Sequence, residues 1–287
     1  MIAVFDIGGT TVKYGLFQDC QLSQVSHFKT PDSFEMLKQS MKNALDSFAC
    51  VVEGIAISAP GAVNEEKRRI DGISAVDYLH KRPIFDELEA YFKLPVTIEN
   101  DANCAGICEM QIGAGKKFKQ AVFIVLGTGV GGGVFVNRRL YKGAHLFGGE
   151  FGLMKGRKNT ILSQNGTAVK AALKYSEQIG YTIDGRELFS RSAEADPLAQ
   201  NLLNEMYEDI AEMLYNVQVS LDPEVIILGG GISAREEISK GISQSLKEKL
   251  QKEGISEIMP QVLCCYYKNN ANLLGAGLNY LDHLKTQ

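Results

Sequence analysis

The chain twice repeats an apolar run, a glycine-rich turn and a second apolar run. In the first copy, which spans 2–17, the turn reads DIGGTT, and in the second, which spans 121–136, it reads GTGVGGG. Glycine adopts backbone conformations and close approaches that other residues do not tolerate. Each copy therefore predicts a β-hairpin whose tip can lie directly against a ligand.

Each hairpin is followed by a helical section and then by a strand that ends in glycine. The first of these strands covers 54–58 and stops at Gly61, and the second covers 224–228 and runs into the glycines at 229–231. Two halves with the same order of elements predict an α/β fold of two related domains that face one another across a cleft. We place the boundary near 113–119.

The predicted domains follow from this repeat. The first covers 1–114, the second covers 115–270, and we expect the last helix, at about 271–287, to pack back on the first domain. Apolar residues at helical spacing, together with cap residues such as Asp196 and either Asp32 or Ser33, mark the helices. The predicted helices lie at 34–48, after 101, at 167–179, after 186, and at 197–221, 235–252 and 271–284; further strands lie at 25–29, 94–98 and 260–267.

Composition excludes several classes of protein. Hydrophobic residues make up 45% and charged residues 22% of the 287 positions, which is typical of a soluble globular protein. The net charge of −4 gives no basic field for nucleic acid. No apolar run approaches the ~20 residues that span a bilayer, and no basic segment of a signal peptide opens the chain. We expect a cytoplasmic protein without membrane or nucleic-acid partners.

The six cysteines are scattered, and we expect them to be reduced. Cys104 and Cys108 lie one helical turn apart and could share a metal ion, but no nearby pair of cysteines or histidines would complete four ligands. We interpret both as core residues. The four histidines are also too dispersed to form a site, and although His145 precedes Glu150 closely enough to approach it, we expect structural roles for all of them.

A polar cluster, ENDAN at 99–103, lies between an apolar strand and a helix. Open α/β sheets bind ligands at the carboxyl ends of their strands. Asp101 can accept a proton from a substrate hydroxyl there, while the neighbouring amides orient that hydroxyl. Asp and Asn are also favourable helix N-caps, and this segment alone does not decide between capping and chemistry.

The three glycine-rich turns have a common physical use, because bare backbone N–H groups can surround a phosphate. None is a P-loop, since no Gly-Lys-Ser/Thr follows, and none is a dinucleotide GxGxxG that opens a helix. For a single turn, glycine that serves only the backbone is the simpler explanation. Three such turns, with Asp6 beside the first and Thr128 inside the second, favour a nucleotide whose phosphates lie between the two hairpins.

These motifs, in their order and spacing, resemble the ROK family of repressors, open reading frames and sugar kinases. The resemblance spans nearly the whole chain. It implies the actin-like ATPase fold, in which two ribonuclease H-like domains hold ATP in a cleft. The segments that carry it are DIGGTTVK at 6–13, ENDAN at 99–103, LGTGVGGG at 126–133, GGEFG at 148–152 and LGGGI at 228–232.

The resemblance also implies the cofactors, ATP and Mg²⁺, and a role for each site residue. Asp6 holds Mg²⁺ through water, Asp101 is the general base, and Asn100, Asp101 and Glu150 bind sugar hydroxyls together with Gly61. The nucleotide is contacted by glycines of the three turns and by three other residues in or beside them: Gly8, Gly9, Thr10, Lys13, Gly127, Thr128, Gly129, Gly229, Gly230 and Gly231.

The chain departs from the family pattern beside the sugar-binding glutamate. Most members have a histidine where this sequence has Leu153, and they then carry a zinc site built on cysteines, whereas the segment 155–167 contains no cysteine. The chain is similar to the zinc-free branch, and we expect no zinc. A second glutamate of the family is also missing, and either Asn165 or Thr167 is a candidate to replace it.

The resemblance implies an ATP-dependent kinase acting on the 6-hydroxyl of a hexose or hexose derivative, such as a β-glucoside, an N-acyl hexosamine like N-acetylmannosamine, or glucose. The alternative is a sugar-binding or sensing protein that has lost catalysis, against which Asp6, Asp101 and the intact turns count. A regulator would need a DNA-binding motif ahead of the first hairpin, and since only five residues precede Asp6 we expect none. A homodimer is a further expectation, because family members are commonly dimeric.

Overall fold

The computed structural model describes residues 1–156, 159–231 and 236–286. The chain divides into two compact units, each with its own five-stranded sheet. Unit 1 comprises 1–113, 143–147 and 269–287, and unit 2 comprises 114–142 and 148–268. This division differs from the predicted domains, 1–114 and 115–270, at three places: residue 114 groups with unit 2, and 143–147 and 269–270 group with unit 1.

Unit 1 contains seven described strands and four described helices. Its strands are β1 Ile2–Ile7, β2 Thr11–Gln18, β3 Gln21–Lys29, β4 Gly54–Ala59, β5 Ala62–Asn64, β6 Arg69–Asp71 and β7 Val96–Asn100. Its helices are α1 Phe34–Asp46, α2 Ile84–Phe92, α3 Asp101–Gln111 and, at the end of the chain, α8 Ala271–Thr286.

Unit 2 contains the remaining described strands and helices. Its strands are β8 Ala121–Leu126, β9 Val130–Val136, β10 Arg139–Tyr141, β11 Val225–Gly229 and β12 Gln261–Cys264. Its helices are α4 Ala168–Ile179, α5 Gly185–Ala193, α6 Pro197–Leu221 and α7 Glu236–Lys252. The predicted start of α7 at 235 lies outside the described residues, and the strand predicted over 260–267 is shorter than expected.

The two sheets have the same topology. In unit 1 the strand order is β3-β2-β1-β4-β7, with antiparallel pairing from β3 to β1 and parallel pairing from β1 to β7. In unit 2 the order is β10-β9-β8-β11-β12, again antiparallel on one side and parallel on the other. This mixed α/β architecture confirms the predicted fold class at the level of sheets and helices. The carboxyl ends of the parallel strands form one edge of each sheet.

Each sheet buries its own apolar core. In unit 1, Phe5 and Ile57 of the sheet pack with the stripe that α1 presents, in which Leu37 and Met41 are fully buried. In unit 2, the strands pack against α6 and α7 through residues such as Leu214. The apolar residues whose spacing predicts α1 therefore face the core, as expected for an amphipathic helix.

Two glycines allow α8 to approach its neighbours in unit 1 closely. A Cβ atom at Gly275 would lie 1.7 Å from the carbonyl oxygen of Cys104 in α3. A Cβ atom at Gly277 would lie 2.4 Å from the ring of Phe17 in β2. Since a side chain at either position would collide with its neighbour, the helix is held against α3 and β2 in one register.

No helix in the described parts of the chain is long and apolar enough to cross a bilayer. All six cysteines are free thiols. Cys104 and Cys108 are fully buried on α3, and the described residues contain no group of three or more His, Cys, Asp or Glu side chains that could hold a metal ion.

Candidate active site

Asn100, at the end of β7, is the N-cap of α3. Its side-chain oxygen accepts the backbone N–H of Asn103 at 3.2 Å. Asp101 is the first helical residue, and its Oδ1 accepts the backbone N–H of Ala102 at 2.8 Å. The cap therefore belongs to the asparagine, and the neighbouring carboxylate lies at the positive end of the helix dipole.

The structure places Gly61 and Asn100 in direct contact. Both residues are predicted to bind the sugar. The amide Nδ2 of Asn100 donates to the carbonyl oxygen of Gly61 at 3.1 Å. Gly61 has a φ of +110°, and a Cβ atom there would lie 2.7 Å from both His80 and Ile70. Because only glycine fits this backbone, the turn after β4 can present its carbonyl group to the capping amide.

A buried carboxylate, which the sequence analysis did not single out, orients this cluster. Glu99 is only 1% exposed. Its Oε1 accepts the backbone N–H of Asn100 at 2.7 Å and the side-chain amide of Asn103 at 3.0 Å. Glu99 therefore fixes the two asparagines that flank Asp101.

Asp6 lies near the end of β1, where its backbone pairs with Lys13 on one side and Ser58 on the other. The hydroxyl of Ser58 donates to Oδ1 of Asp6 at 2.7 Å. The amide Nδ2 of Asn272, in the first turn of α8, donates to the same oxygen at 3.0 Å. Lys13 donates from Nζ to the backbone carbonyl of Asn269 at 3.4 Å. The start of α8 thus contacts the predicted magnesium-binding carboxylate, and the residue Asn269 shortly before it contacts Lys13, a predicted nucleotide-binding side chain.

The buried thiol of Cys104 lies among the carboxylates of this half-site. Burial raises the pKa of Cys104 well above its usual range, and the charges of Glu99, Asp6 and Asp101 raise it further. The strand register places Asp6 of β1 beside Ser58 of β4, and Ser58 beside Glu99 of β7. The predicted metal-binding acid and the strand end that precedes the predicted base therefore lie at the same edge of the sheet in unit 1.

The first glycine turn is held tightly at its base. Gly8 donates its N–H to Thr11 at 3.1 Å, and its carbonyl accepts the hydroxyl of Thr30 at 2.6 Å. A Cβ atom at Gly9 would lie 3.0 Å from the side chain of Ala75. Gly9 and Thr10 are exposed, so the tip of the turn remains accessible.

The second and third glycine turns lie side by side in unit 2. Gly229 at the end of β11 pairs with Val125 at the end of β8. At Gly230 the φ is +97°, and a Cβ atom would lie 2.2 Å from the carbonyl oxygen of Leu126. Gly230 is therefore required by the close approach of the two turns.

Other glycines of these turns have no such requirement. Among the described residues, a Cβ atom at Gly231 would meet nothing within 4 Å, and one at Gly127 would lie 3.9 Å from its nearest neighbour, the carbonyl oxygen of Gly129. Thr128 is exposed beside them. The packing of the described residues of unit 2 does not explain why these two positions are glycine; a glycine backbone also permits the close approach of a ligand.

Glu150 follows a segment that packs closely against the second hairpin. Gly149 has a φ of +94°, and a Cβ atom there would lie 2.6 Å from the carbonyl oxygen of Gly132. Phe151 is buried beside the hairpin, while Glu150 stays open to solvent. Partial burial of its carboxyl group raises the pKa of Glu150 above the usual value.

The two residues considered as replacements for the missing second glutamate both make hydrogen bonds within unit 2. Thr167 is fully buried, and its hydroxyl oxygen caps α4 by accepting the N–H of Lys170 at 3.3 Å. Thr167 is therefore wrong as a sugar ligand. Asn165 donates to Thr160 and accepts the amine of Lys174 at 3.0 Å.

A cavity of about 470 Å³ lies in unit 2. This volume is within the range of small-molecule sites. Its lining comes from α5, α6 and Glu237 of α7, the helix that follows the third glycine turn. The described lining includes Phe189, Ser190, Asn204 and Tyr207.

The described residues thus form one half-site in each unit. Unit 1 offers a carboxylate at a helix N-terminus, beside fixed amides, and a second carboxylate at a glycine turn. Unit 2 offers two adjacent glycine turns and an exposed carboxylate. A carboxylate that can accept a proton, together with backbone N–H groups at glycine turns, suits transfer of a phosphoryl group to a hydroxyl.

Comparison with known proteins supports this chemistry. A model described as the ROK family matches residues 2–281. The chain is 33% identical over 294 residues to a beta-glucoside kinase from Listeria innocua, with 98% of this chain and 97% of that protein covered. A solved ROK family protein from Streptococcus pneumoniae TIGR4, in complex with sucrose, is 34% identical with a TM-score of 0.92, and the match covers 100% of this chain and 99% of that one. A ROK hexokinase from Thermus thermophilus is 25% identical with a TM-score of 0.86, and 99% of each chain is covered. From this match over nearly its whole length, the chain belongs to the ROK family.

Proposed function

We propose that this protein is an ATP-dependent sugar kinase with the actin-like ATPase fold, and that it phosphorylates the 6-hydroxyl of a hexose or hexoside. The observation that carries the proposal is the position of Asp101. Its carboxylate begins α3 beside the capping amide of Asn100, at the sheet edge that also carries Asp6. The relatives named as kinases of sugars support the same class of reaction.

In this proposal, Asp101 accepts the proton of the sugar hydroxyl as its oxygen forms a bond to the γ-phosphorus of ATP. The bond from that phosphorus to the oxygen it shares with the β-phosphate breaks, and ADP leaves with the electron pair. Asn100, fixed by Gly61 and Glu99, orients the hydroxyl. Correct orientation lowers the barrier because the reacting atoms meet without a further entropic cost.

The residues around Asp6 fit a magnesium ion held through water. Mg²⁺ usually keeps several waters and takes only one or two carboxylates from the protein. Both hydrogen bonds to Asp6 end on Oδ1, which leaves Oδ2 for a water of the ion. When bound, the ion would neutralise charge on the phosphates. Asp6 is the residue that would hold it.

The glycine turns would bind the phosphates through backbone N–H groups. This role would account for Gly127 and Gly231, where the described residues leave room for a side chain. A Cβ atom on either would occupy space that a phosphate needs. We infer that the cavity of about 470 Å³ beside α7 receives the nucleoside, because that helix follows the third turn.

The substrate class we favour is a hexose that carries a substituent at or near its anomeric carbon. Leu153 is 52% exposed two residues beyond the clamped Phe151, and an apolar side chain there requires no partner hydroxyl on the sugar. Relatives named beta-glucoside kinase support a β-glucoside. The relative in complex with sucrose supports room for a second sugar ring, because sucrose is a disaccharide.

A coupled ADP-release assay with a panel of sugars tests the proposal. Glucose, methyl β-glucoside, cellobiose and N-acetylmannosamine would each be supplied with ATP and Mg²⁺, with a reaction that lacks sugar as the control. We expect ADP release that depends on sugar, and phosphorus–proton NMR correlation of the product should place the phosphate on carbon 6. ADP release that is independent of sugar would contradict the proposal.

A further inference from the structure

Asn272 contacts Asp6 although 266 residues separate them in the chain. Its amide Nδ2 donates to Oδ1 of Asp6 at 3.0 Å, and the hydroxyl of Ser58 donates to the same oxygen at 2.7 Å. The two donors come from different elements, α8 and β4. The described residues make no other hydrogen bond to the side chain of Asp6, whose backbone pairs within the sheet.

Two donors on one oxygen fix the plane of this carboxylate. The terminal torsion of an aspartate is broad, so an unsupported carboxylate samples many orientations. Here Oδ1 is held from two sides, and Oδ2 is the oxygen that remains for a ligand. A second group that orients the primary ligand is a common means of tuning a metal site.

The position of Asn272 is itself fixed by the packing of α8. Gly275, one turn later, lies against the backbone of Cys104 so closely that no side chain fits between them. Just before the helix, the carbonyl of Asn269 accepts the amine of Lys13, which faces Asp6 across the β1–β2 pair. The start of α8 is therefore fastened to α3 and to the first hairpin.

We propose that Asn272 is a positioning residue for the magnesium ion that accompanies ATP, because it fixes the orientation of Asp6. The inference rests on the proposed function and adds a residue that the ROK motifs identified in the sequence do not include. If Asn272 were purely structural, its removal would lower stability without changing metal affinity. If Asn272 positions Asp6, its removal lowers metal affinity without lowering stability.

The test compares Asn272→Ala with Asn43→Ala, which removes the same amide from an exposed position on α1. Mn²⁺ would serve as the probe ion, and its binding in the presence of the ATP analogue AMPPNP would be followed by electron paramagnetic resonance. We expect Asn272→Ala to weaken Mn²⁺ binding by about 10-fold or more, with AMPPNP binding in the absence of metal unchanged. The Mg²⁺ concentration needed for half-maximal ADP release should rise in parallel, while the KM for sugar stays constant.

Ser58→Ala provides a second variant, in which the other donor is removed with little change in volume. It should weaken Mn²⁺ binding as well, so the inference remains testable if Asn272→Ala fails to fold. Mn²⁺ affinity equal to that of the Asn43→Ala control in both variants would overturn it. If instead the unmodified protein binds no Mn²⁺ with AMPPNP and releases no ADP with any sugar, the proposed function itself fails.

Discussion

Gly275 of α8 lies against the backbone carbonyl of Cys104 in α3, where a Cβ atom would be 1.7 Å from the oxygen. Cys104 is one turn beyond Asp101, and Gly275 is one turn beyond Asn272. This contact therefore connects the helix that carries the proposed base to the helix that supports Asp6. The positions of the proposed base, Asp101, and of the proposed magnesium-binding carboxylate, Asp6, therefore both depend on the register between α3 and α8.

We expect Gly275→Ala to destabilise the protein. Alanine favours a helix over glycine by about 1 kcal/mol, but overpacking costs typically 1–3 kcal/mol and occasionally more. The collision here is with backbone of a packed helix, which cannot rotate away, so the upper end of that range should prevail. Urea unfolding of the variant and of the unmodified protein measures the difference in free energy.

Gly156→Ala is the matched control for Gly275→Ala. A Cβ atom at Gly156 would meet none of the described residues within 4 Å, so that substitution should change the unfolding free energy little. Equal stability of Gly275→Ala and Gly156→Ala would show that α8 can shift away from α3.

Local patterns in the sequence predicted most of the elements that carry the site. Apolar runs and glycine turns identified both hairpins. Helix α6 begins where its cap residue Asp196 and Pro197 indicate, and it ends at the predicted Leu221. The polar cluster at 99–103 left the roles of capping and chemistry open. The structure assigns the cap to Asn100.

The contacts that escaped the sequence analysis join residues distant in the chain. Asn272 and Ser58 reach Asp6 from 266 and 52 residues away. No local pattern marks such pairs, because they depend on how the sheet and α8 come together. Thr167 was misjudged for the opposite reason, since a threonine before a helix is a good cap, and that local role is the one it has.

Stability should depend on pH through His283. Its Nε2 lies 2.8 Å from Glu65, and this hydrogen bond raises the pKa of His283 from 6.5 to about 9. The stabilisation is therefore fully present below the unfolded-state pKa of 6.5 and is lost as the pH rises through about 9. The side chains of His283 and Glu65 are 33% and 41% exposed. We therefore expect the pair to contribute less than about 1 kcal/mol to the free energy of unfolding.

Glu65→Gln tests this pair, with the adjacent Glu66→Gln as control. The unfolding free energy of the unmodified protein should exceed that of Glu65→Gln at about pH 6, and the two free energies should converge at about pH 10. A difference that is constant over this range would show that the pair does not titrate as described.

We expect the protein to purify without stoichiometric zinc. Leu153 and the cysteine-free segment 155–167 offer no soft ligands. Elemental analysis measures the zinc content directly. ADP release should also persist in a chelator once Mg²⁺ is supplied in excess, whereas one tightly held zinc per chain would contradict this reading of the sequence.

Leu153 should broaden the range of accepted sugars. A site built to hydrogen-bond a hydroxyl discriminates against analogues that lack it, and each neutral hydrogen bond contributes roughly 0.5–1.5 kcal/mol. We expect kcat/KM for methyl β-glucoside, cellobiose or N-acetylmannosamine to equal or exceed that for glucose. Leu153→His should shift the ratio towards glucose, with Leu173→His, exposed on α4, as the control. A strong preference of the unmodified protein for glucose over all three would contradict the open site.

Replacement of Asp101 by asparagine tests the proposed chemistry most directly. The amide is nearly isosteric and cannot accept a proton, and loss of a general base typically costs about 10²- to 10⁴-fold in rate. We expect Asp101→Asn to keep its fold and its affinity for sugar, measured by thermal melting and by calorimetric titration, while kcat for ADP release falls by that factor. Asp19→Asn, in the turn between β2 and β3, should retain full activity. Near-normal ADP release by Asp101→Asn would contradict the assignment of Asp101 as the base.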